Sequence, residues 1–126
     1  MSLPKPTSTE LEILHVLWDR GPSTVREVCE EMSRTKPTGY TTVLKLLQIM
    51  TAKGLVARDE NERAHVYSAV EPEESTKRQL VSDLLTRAFS GSASQLMMHA
   101  LSGKKTSSAE IDEIRRMLDV FERRES

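Results

Sequence analysis

Apolar residues in the first half of the chain recur at intervals of three and four, which is the spacing of one helical face. The first segment runs from Ser8 to Arg20 and carries Leu11, Leu14, Leu17 and Trp18. The second starts at Thr24, which has capping-box spacing to Glu27, and carries Val25, Val28, Cys29 and Met32. The third follows the turn Pro37-Thr38-Gly39, ends at Lys53-Gly54, and carries Val43, Leu46, Leu47 and Met50. Because proline and glycine stand at the ends of these segments, the pattern predicts three helices.

After Gly54 the apolar period shortens to about 2, the period of a strand. Segments 55–58 and 65–70 alternate in this way around the polar tip 59–63, and Pro72 closes the pattern, so a β-hairpin is predicted. Three helices followed by a hairpin within about 65 residues is the order of a winged helix-turn-helix. We therefore predict a winged helix-turn-helix domain over residues 7–71.

From Pro72 onward the pattern is helical again, and Gly91 and Gly103 separate three helices with broad apolar faces. Residues 74–123 are too few to form a stable core alone, which favours mutual burial between two copies of the chain. Folding back onto the first domain is the alternative. The predicted dimer contacts are Leu80, Leu84, Leu85, Ala88, Phe89, Leu96, Met97, Leu101, Ile111, Ile114, Leu118 and Phe121. The predicted fold is mainly α, with a small β-hairpin wing and a C-terminal three-helix dimerisation domain.

The third helix has a second face without any acidic residue, made of Thr41, Lys45, Gln48 and Ala52 and flanked by Thr42 and Leu44. We call the first four residues together with Thr42 the polar face. Hydroxyl, amide and ammonium groups can reach base edges or phosphates, and small side chains permit close approach to a groove. An ordinary solvated helix face would have a similar composition, so the composition alone leaves both interpretations open.

Charge distribution separates these interpretations. The chain holds 18 basic and 19 acidic residues, a formal net charge of -1, which by itself argues against a polyanionic partner. From Met32 to Arg58, however, it has no Asp or Glu, where about four would be expected in proportion. Because phosphate binding depends on local cationic charge, this stretch favours DNA as a partner. The predicted DNA-binding residues are Thr41, Thr42, Lys45, Gln48, Lys53, Arg58, Arg63 and His65.

In the wing, Arg63 and His65 are candidates for contacts to phosphates or to the minor groove. Acidic residues at 59, 60 and 62 would be repelled by DNA, so a simple solvated turn is the alternative. A second functional alternative is a winged-helix module that binds proteins and makes no base-specific contacts to DNA. A protein-binding face would have no need of an acid-free third helix, which favours the DNA interpretation.

Other function classes find little support in the sequence. The three histidines lack ligand spacing, no nucleophile or phosphate-loop motif is present, and the single cysteine completes the apolar face of the second helix. We therefore expect no catalytic site, no metal and no cofactor. No apolar run approaches the roughly 20 residues of a membrane span, and the N-terminus lacks a hydrophobic signal core, so a cytoplasmic protein without membrane insertion is expected.

Several strings in the sequence resemble the penicillinase repressor family (BlaI/MecI/CopY type). They are residues 6–14 leading to Leu17-Trp18, Gly21 to Val28, Tyr40 to Val43 with Lys53 to Val56, and Arg63 to Tyr67. The resemblance covers residues 7–124. It implies a homodimeric winged-helix repressor that binds a pseudo-palindromic DNA operator, with an N-terminal DNA-binding domain and a C-terminal helical dimerisation domain.

In the β-lactam-resistance branch of that family, a membrane sensor metalloprotease triggers cleavage of the repressor, so the resemblance also implies such a partner and a β-lactam-resistance-like or stress-response operon. The cleavable Asn-Phe bond of the family aligns here with His99-Ala100, which argues against cleavage. The copper-responsive branch has a C-terminal cysteine cluster, whereas Cys29 stands alone. The operator sequence, the regulated genes and the inducer do not follow from the sequence.

Overall fold

The computed structural model describes residues 4–61, 63–103 and 105–125. In chain order its elements are α1 (Ser8–Arg20), β1 (Ser23–Thr24), α2 (Val25–Ser33), α3 (Tyr40–Lys53), β2 (Val56–Asp59), β3 (Val66–Ala69), α4 (Glu73–Phe89), α5 (Ala93–Ser102) and α6 (Ser108–Glu125). The predicted mainly helical fold with a small sheet is confirmed. Among the described residues, no helix is long and apolar enough to span a membrane.

Cα packing divides the chain into two compact units, the first ending at Ser82 and the second beginning at Asp83. The division falls inside α4, whereas the sequence pattern placed the domain boundary in the short link before that helix. The first turns of α4 therefore pack with the first unit. The functional ranges 7–71 and 74–123 stay predictions.

The starts of α1 and α2 follow directly from local sequence. Thr7 caps α1 by accepting from the Glu10 N–H, and the Glu10 side chain accepts from the Thr7 N–H in return. Thr24 and Glu27 make the same reciprocal pair at the start of α2. Each box satisfies N–H groups that a helix start would otherwise leave without partners. These two caps fix where the first two helices begin.

The sheet has three strands, in the order β1-β3-β2, with both pairs antiparallel. The predicted hairpin is β2 and β3, with Val56 opposite Ala69 and Asp59 opposite Val66. The sequence pattern missed β1, whose Ser23 lies opposite Tyr67. Two residues show no period, so only the pairing with a strand more than forty residues away makes them a strand.

One apolar core lies between α1, α2, α3 and the sheet. It contains seven of the twelve predicted inward positions of the three helices and adds Ile13, which the pattern did not include, and the first residues of the wing. The other five predicted positions are partly buried and pack against this core: Leu11, Trp18, Cys29, Met32 and Leu46. Its buried members are Ile13, Leu14, Leu17, Val25, Val28, Val43, Leu47, Met50, Leu55, Val56 and Tyr67. This core fixes which side of α3 remains available to solvent.

In the second unit, neither α5 nor α6 contains a buried residue. None of the twelve predicted dimer contacts is buried, and Leu118 and Phe121 of α6 are 60% and 59% exposed.

The rings of Phe89 and His99 approach each other, with centroids 5.5 Å apart. The bond His99-Ala100 lies within α5, so its backbone is helical.

Candidate nucleic-acid interface

Helix α3 presents its polar face to solvent because its opposite side is anchored in the core. Val43, Leu47 and Met50 are fully buried. Residues Thr41, Thr42, Lys45, Gln48 and Ala52 are all exposed, as the helical periodicity predicts. The structure therefore brings four of the eight predicted DNA-binding residues, those before Lys53, onto one surface.

The loop before α3 is held by contacts that converge on Thr38. The Cys29 thiol and the Ser33 hydroxyl each donate to the Thr38 carbonyl oxygen, both at 3.1 Å, and the Thr38 N–H donates back to Ser33 Oγ. These bonds tie the end of α2 to the start of α3. Cys29 is thus half-buried and structural, in agreement with its position in the apolar face of α2.

The end of α3 is fixed by a left-handed glycine. Gly54 has φ 83° and ψ 15°, and its N–H bonds back to the last turn while the Leu55 N–H donates to the Met50 carbonyl oxygen. A residue with a Cβ is disfavoured in this conformation. The chain then enters the core at Leu55 and continues as β2, so α3, which we call the reading helix, is joined to the wing by a single tight turn.

Lys53 is not directed to the same surface as Lys45. Its ammonium donates to Glu10 Oε1 at 2.6 Å, and Glu10 is 2% exposed. Burial raises the pKa of the Glu10 carboxyl, but hydrogen bonds from Lys53 and Thr7 outweigh it and hold the pKa below its ordinary value. The stretch from Met32 to Arg58 has no acid in sequence, yet the fold supplies one from α1.

Basic residues around α3 differ in their pairing. Arg34 contacts Glu31 at 3.5 Å, and Arg58 pairs with Glu60 at 2.5 Å near the wing tip. Within the described part of the chain, Lys45 has no ion-pair partner. Its ammonium is therefore the charge of the polar face that is available to an anion.

The wing places Arg63 and His65 in exposed positions before β3. The Asn61 N–H donates to Asp59 Oδ1 at 2.9 Å, which closes a local turn at the tip. Glu62, one of the three acids considered at this tip, lies outside the described residues. Arg58, Arg63 and His65 belong to the wing, separate from the four residues on α3.

Two exposed residues of α3 were not singled out by the sequence pattern. Tyr40, the first residue of the helix, is 53% exposed, and Ile49, beside the polar face, is 41% exposed. Helical geometry places Ile49 about 40° from Lys45 around the axis, so it could have been found from the period. An exposed apolar side chain at this position offers a methyl surface next to the polar groups.

Comparisons with known proteins give a consistent assignment. A family model described as Penicillinase repressor matches residues 6–120. The Transcriptional regulator BlaI of Mycobacterium tuberculosis (strain CDC 1551 / Oshkosh) is 34% identical over 115 residues, which are 90% of this chain and 82% of that protein. The Penicillinase repressor of Bacillus licheniformis is 24% identical over 122 residues, 97% of this chain and 95% of that protein.

Solved structures agree with this result. The solution structure of the monomeric form of Bacillus licheniformis BlaI with the blaP half-operator matches with a TM-score of 0.51 and 26% identity, over 58% of this chain and 89% of that one. A MarR family protein from Bacillus stearothermophilus matches with a TM-score of 0.54 and 21% identity, over 94% of this chain and 74% of that one, a similarity of fold alone. The chain belongs to the penicillinase repressor family and is a winged-helix, DNA-binding transcriptional repressor.

Proposed function

We propose that this protein represses transcription as a homodimer that inserts α3 of each copy into the major groove of a pseudo-palindromic operator. The observation that carries the proposal is the exposed, acid-free polar face of α3, which is held outward by a fully buried opposite side. A helix-turn-helix protein reads DNA with this element. The protein acts in the cytoplasm as a regulator and has no catalytic role.

Within the proposed complex, Lys45 contacts a phosphate, and Thr41, Thr42 and Gln48 face base edges or the adjacent backbone. A hydroxyl or amide can donate and accept, so these side chains can serve either purpose. In the wing, Arg63 and His65 contact the flanking backbone or minor groove, and Arg58 of β2 is a further candidate contact. Arg58 is already paired with Glu60, so we expect it to contribute less than Arg63.

The second unit supplies the dimer. Its apolar side chains are not buried within the chain, although helices with such faces need a partner surface. A second copy provides an identical surface, which a two-fold axis makes self-complementary. Two reading helices on a two-fold axis predict half-sites separated by about 34 Å, or a small multiple of it.

The test is binding to duplex DNA from the region upstream of the protein's own gene. We expect a gel shift that weakens as salt rises, and a footprint with two protected half-sites related by symmetry. A shuffled duplex of equal length and base composition is the control for non-specific binding. Absence of any shift at low salt would contradict the proposal, and equal affinity for both duplexes would contradict sequence-specific repression.

A further inference from the structure

The carboxylate of Glu10 joins the start of α1 to the end of α3. Its Oε1 atom accepts the Thr7 N–H at 2.9 Å and the Lys53 ammonium at 2.6 Å. The two charged residues are 43 positions apart in sequence, and Glu10 is almost fully buried. A buried charge is stable only when it is paired and hydrogen-bonded, so this contact is a requirement of the fold at that point.

Around the axis of α3, with 3.6 residues per turn, Lys53 lies at the edge of the polar face, about 80° from Lys45 and about 20° from Thr42. Its ammonium points to α1, where the Glu10 carboxylate holds it. The Lys53 side chain is 34% exposed and its ammonium has three donors, so a DNA phosphate would have to share the charge that the buried Glu10 carboxylate requires, which disfavours the DNA contact.

The same contact lies at the joint between the reading helix and the wing. Lys53 is the last residue of α3, Gly54 makes the left-handed turn, and the buried Leu55 begins the path into β2. The Val70 N–H donates to the Leu55 carbonyl oxygen at 3.1 Å, which closes the open end of the hairpin beside this joint. The position of α3 relative to β2 is therefore fixed next to the ion pair.

We propose that Lys53 is a positioning residue, which through Glu10 holds the end of α3 and the start of the wing in the arrangement that DNA recognises. Lys53 makes no phosphate contact in this arrangement. The inference rests on the proposed function, because operator affinity is where its effect is measured.

The variant Glu10→Gln gives opposite results for the two roles of Lys53. Glutamine keeps an oxygen for the Thr7 N–H but removes the charge that holds the ammonium. If Lys53 is a positioning residue, Glu10→Gln weakens operator binding, on the order of tenfold for a coupled pair. If Lys53 contacts phosphate, loss of a competing carboxylate tightens binding instead, and that result would overturn the proposal.

Salt dependence distinguishes the roles a second time. Each phosphate contact contributes about 0.9 to the slope of log affinity against log salt. We expect Lys53→Met to lower affinity while leaving the slope unchanged, and Lys45→Ala to reduce the slope. A reduced slope for Lys53→Met would show a phosphate contact and overturn the proposal.

Rescue completes the test. In Lys53→Met the Glu10 carboxylate remains buried without its cation, so the double variant Glu10→Gln/Lys53→Met should bind better than Lys53→Met alone. Lys53→Arg keeps the cation and should bind like the parent protein. Binding is measured after circular dichroism has shown each variant to be folded. If Lys53→Met does not fold, the single variants Glu10→Gln and Lys53→Arg decide whether Lys53 positions α3 or contacts phosphate. Parent-like affinity of folded Lys53→Met, or no rescue, would overturn the proposal.

The parent protein and Lys45→Ala, measured on the same duplex, keep the two proposals apart. If the parent protein does not bind, the proposed function itself fails and the positioning role fails with it. If the parent protein binds and Lys45→Ala weakens it, but Glu10→Gln binds more tightly, only the positioning role is wrong.

Discussion

At the scale of single residues, the most informative side chain is Glu10, because it is a charge inside the fold. Its position in the first turn of α1 is evident from sequence, and so is its capping spacing to Thr7. Its pairing with Lys53 is not evident, since nothing local indicates which cation lies opposite. A three-dimensional fold is needed to show that Lys53, which the sequence predicts as a DNA contact, donates to a carboxylate of α1.

The lowered pKa of Glu10 predicts a pH dependence of stability. A carboxyl whose pKa is lower in the folded state stabilises the fold above its unfolded-state pKa, and this contribution disappears as pH falls through the folded-state pKa. We expect Glu10→Gln to lower the free energy of unfolding by about 2 kcal/mol near neutral pH. In urea titrations at several pH values, the difference from the parent protein should shrink below about pH 4.5. A difference independent of pH would contradict a charged Glu10.

In contrast to Glu10→Gln, a substitution of Lys45 is expected to change DNA binding and not the stability of the fold. The side chain is exposed and lacks an ion-pair partner among the described residues, so Lys45→Ala should leave stability and the dimer unchanged. Operator affinity should fall, and the salt slope should decrease in magnitude by about 1.8, since each of the two copies loses one phosphate contact worth about 0.9. Lys105→Ala, which removes the same charge from an exposed position in the second unit, is the matched control. Loss of the dimer in Lys45→Ala would show a structural residue.

At the scale of elements, the sequence predicts best what is decided locally. Thr7, Thr24, Gly21 and Gly54 mark helix ends with their own backbone and side-chain preferences, and the structure places both ends of α1, the start of α2 and the end of α3 there. The exposed side of α3 follows from the period of its buried side. Strand β1 and the Glu10–Lys53 bond depend on partners more than forty positions away, so no local signal predicts them.

Helix α2 offers a test of one such local signal. Thr24→Ala removes the hydroxyl that accepts the Glu27 N–H, and we expect a loss of about 1 kcal/mol in the free energy of unfolding. Thr24→Ser keeps the hydroxyl oxygen and should lose much less. Urea denaturation of both variants measures this difference. Both substitutions remove the Thr24 methyl, so equal losses in the two variants would show that packing of this methyl, not the cap, determines the effect.

At the scale of the whole molecule, the two units differ in how they satisfy their apolar residues. The first unit encloses its core with three helices and a sheet. In the second unit, large apolar side chains of all three helices remain exposed, among them Leu84, Met98 and Phe121. Because exposed apolar surface of this kind favours association, the fold of one chain supports the need for a second copy.

Leu84→Asp tests that need. Leu84 is on α4 and about half exposed, so in one chain the substitution removes little packing, whereas in a dimer it places a carboxylate within an apolar interface. We expect monomers in sedimentation equilibrium. Affinity for a full operator should fall by about 10² or more, because two linked reading helices gain from effective concentration.

The matched control for Leu84→Asp is Thr86→Asp, which adds the same charge at an exposed polar position about 160° away around α4. It should remain dimeric and bind the full operator normally. A duplex with only one half-site measures the reading helix alone, so the parent protein and Leu84→Asp should differ little on it. A Leu84→Asp variant that stays dimeric would show that this face of α4 does not form the interface. A monomeric variant that still binds the full operator with parent affinity would show that operator binding does not require two copies.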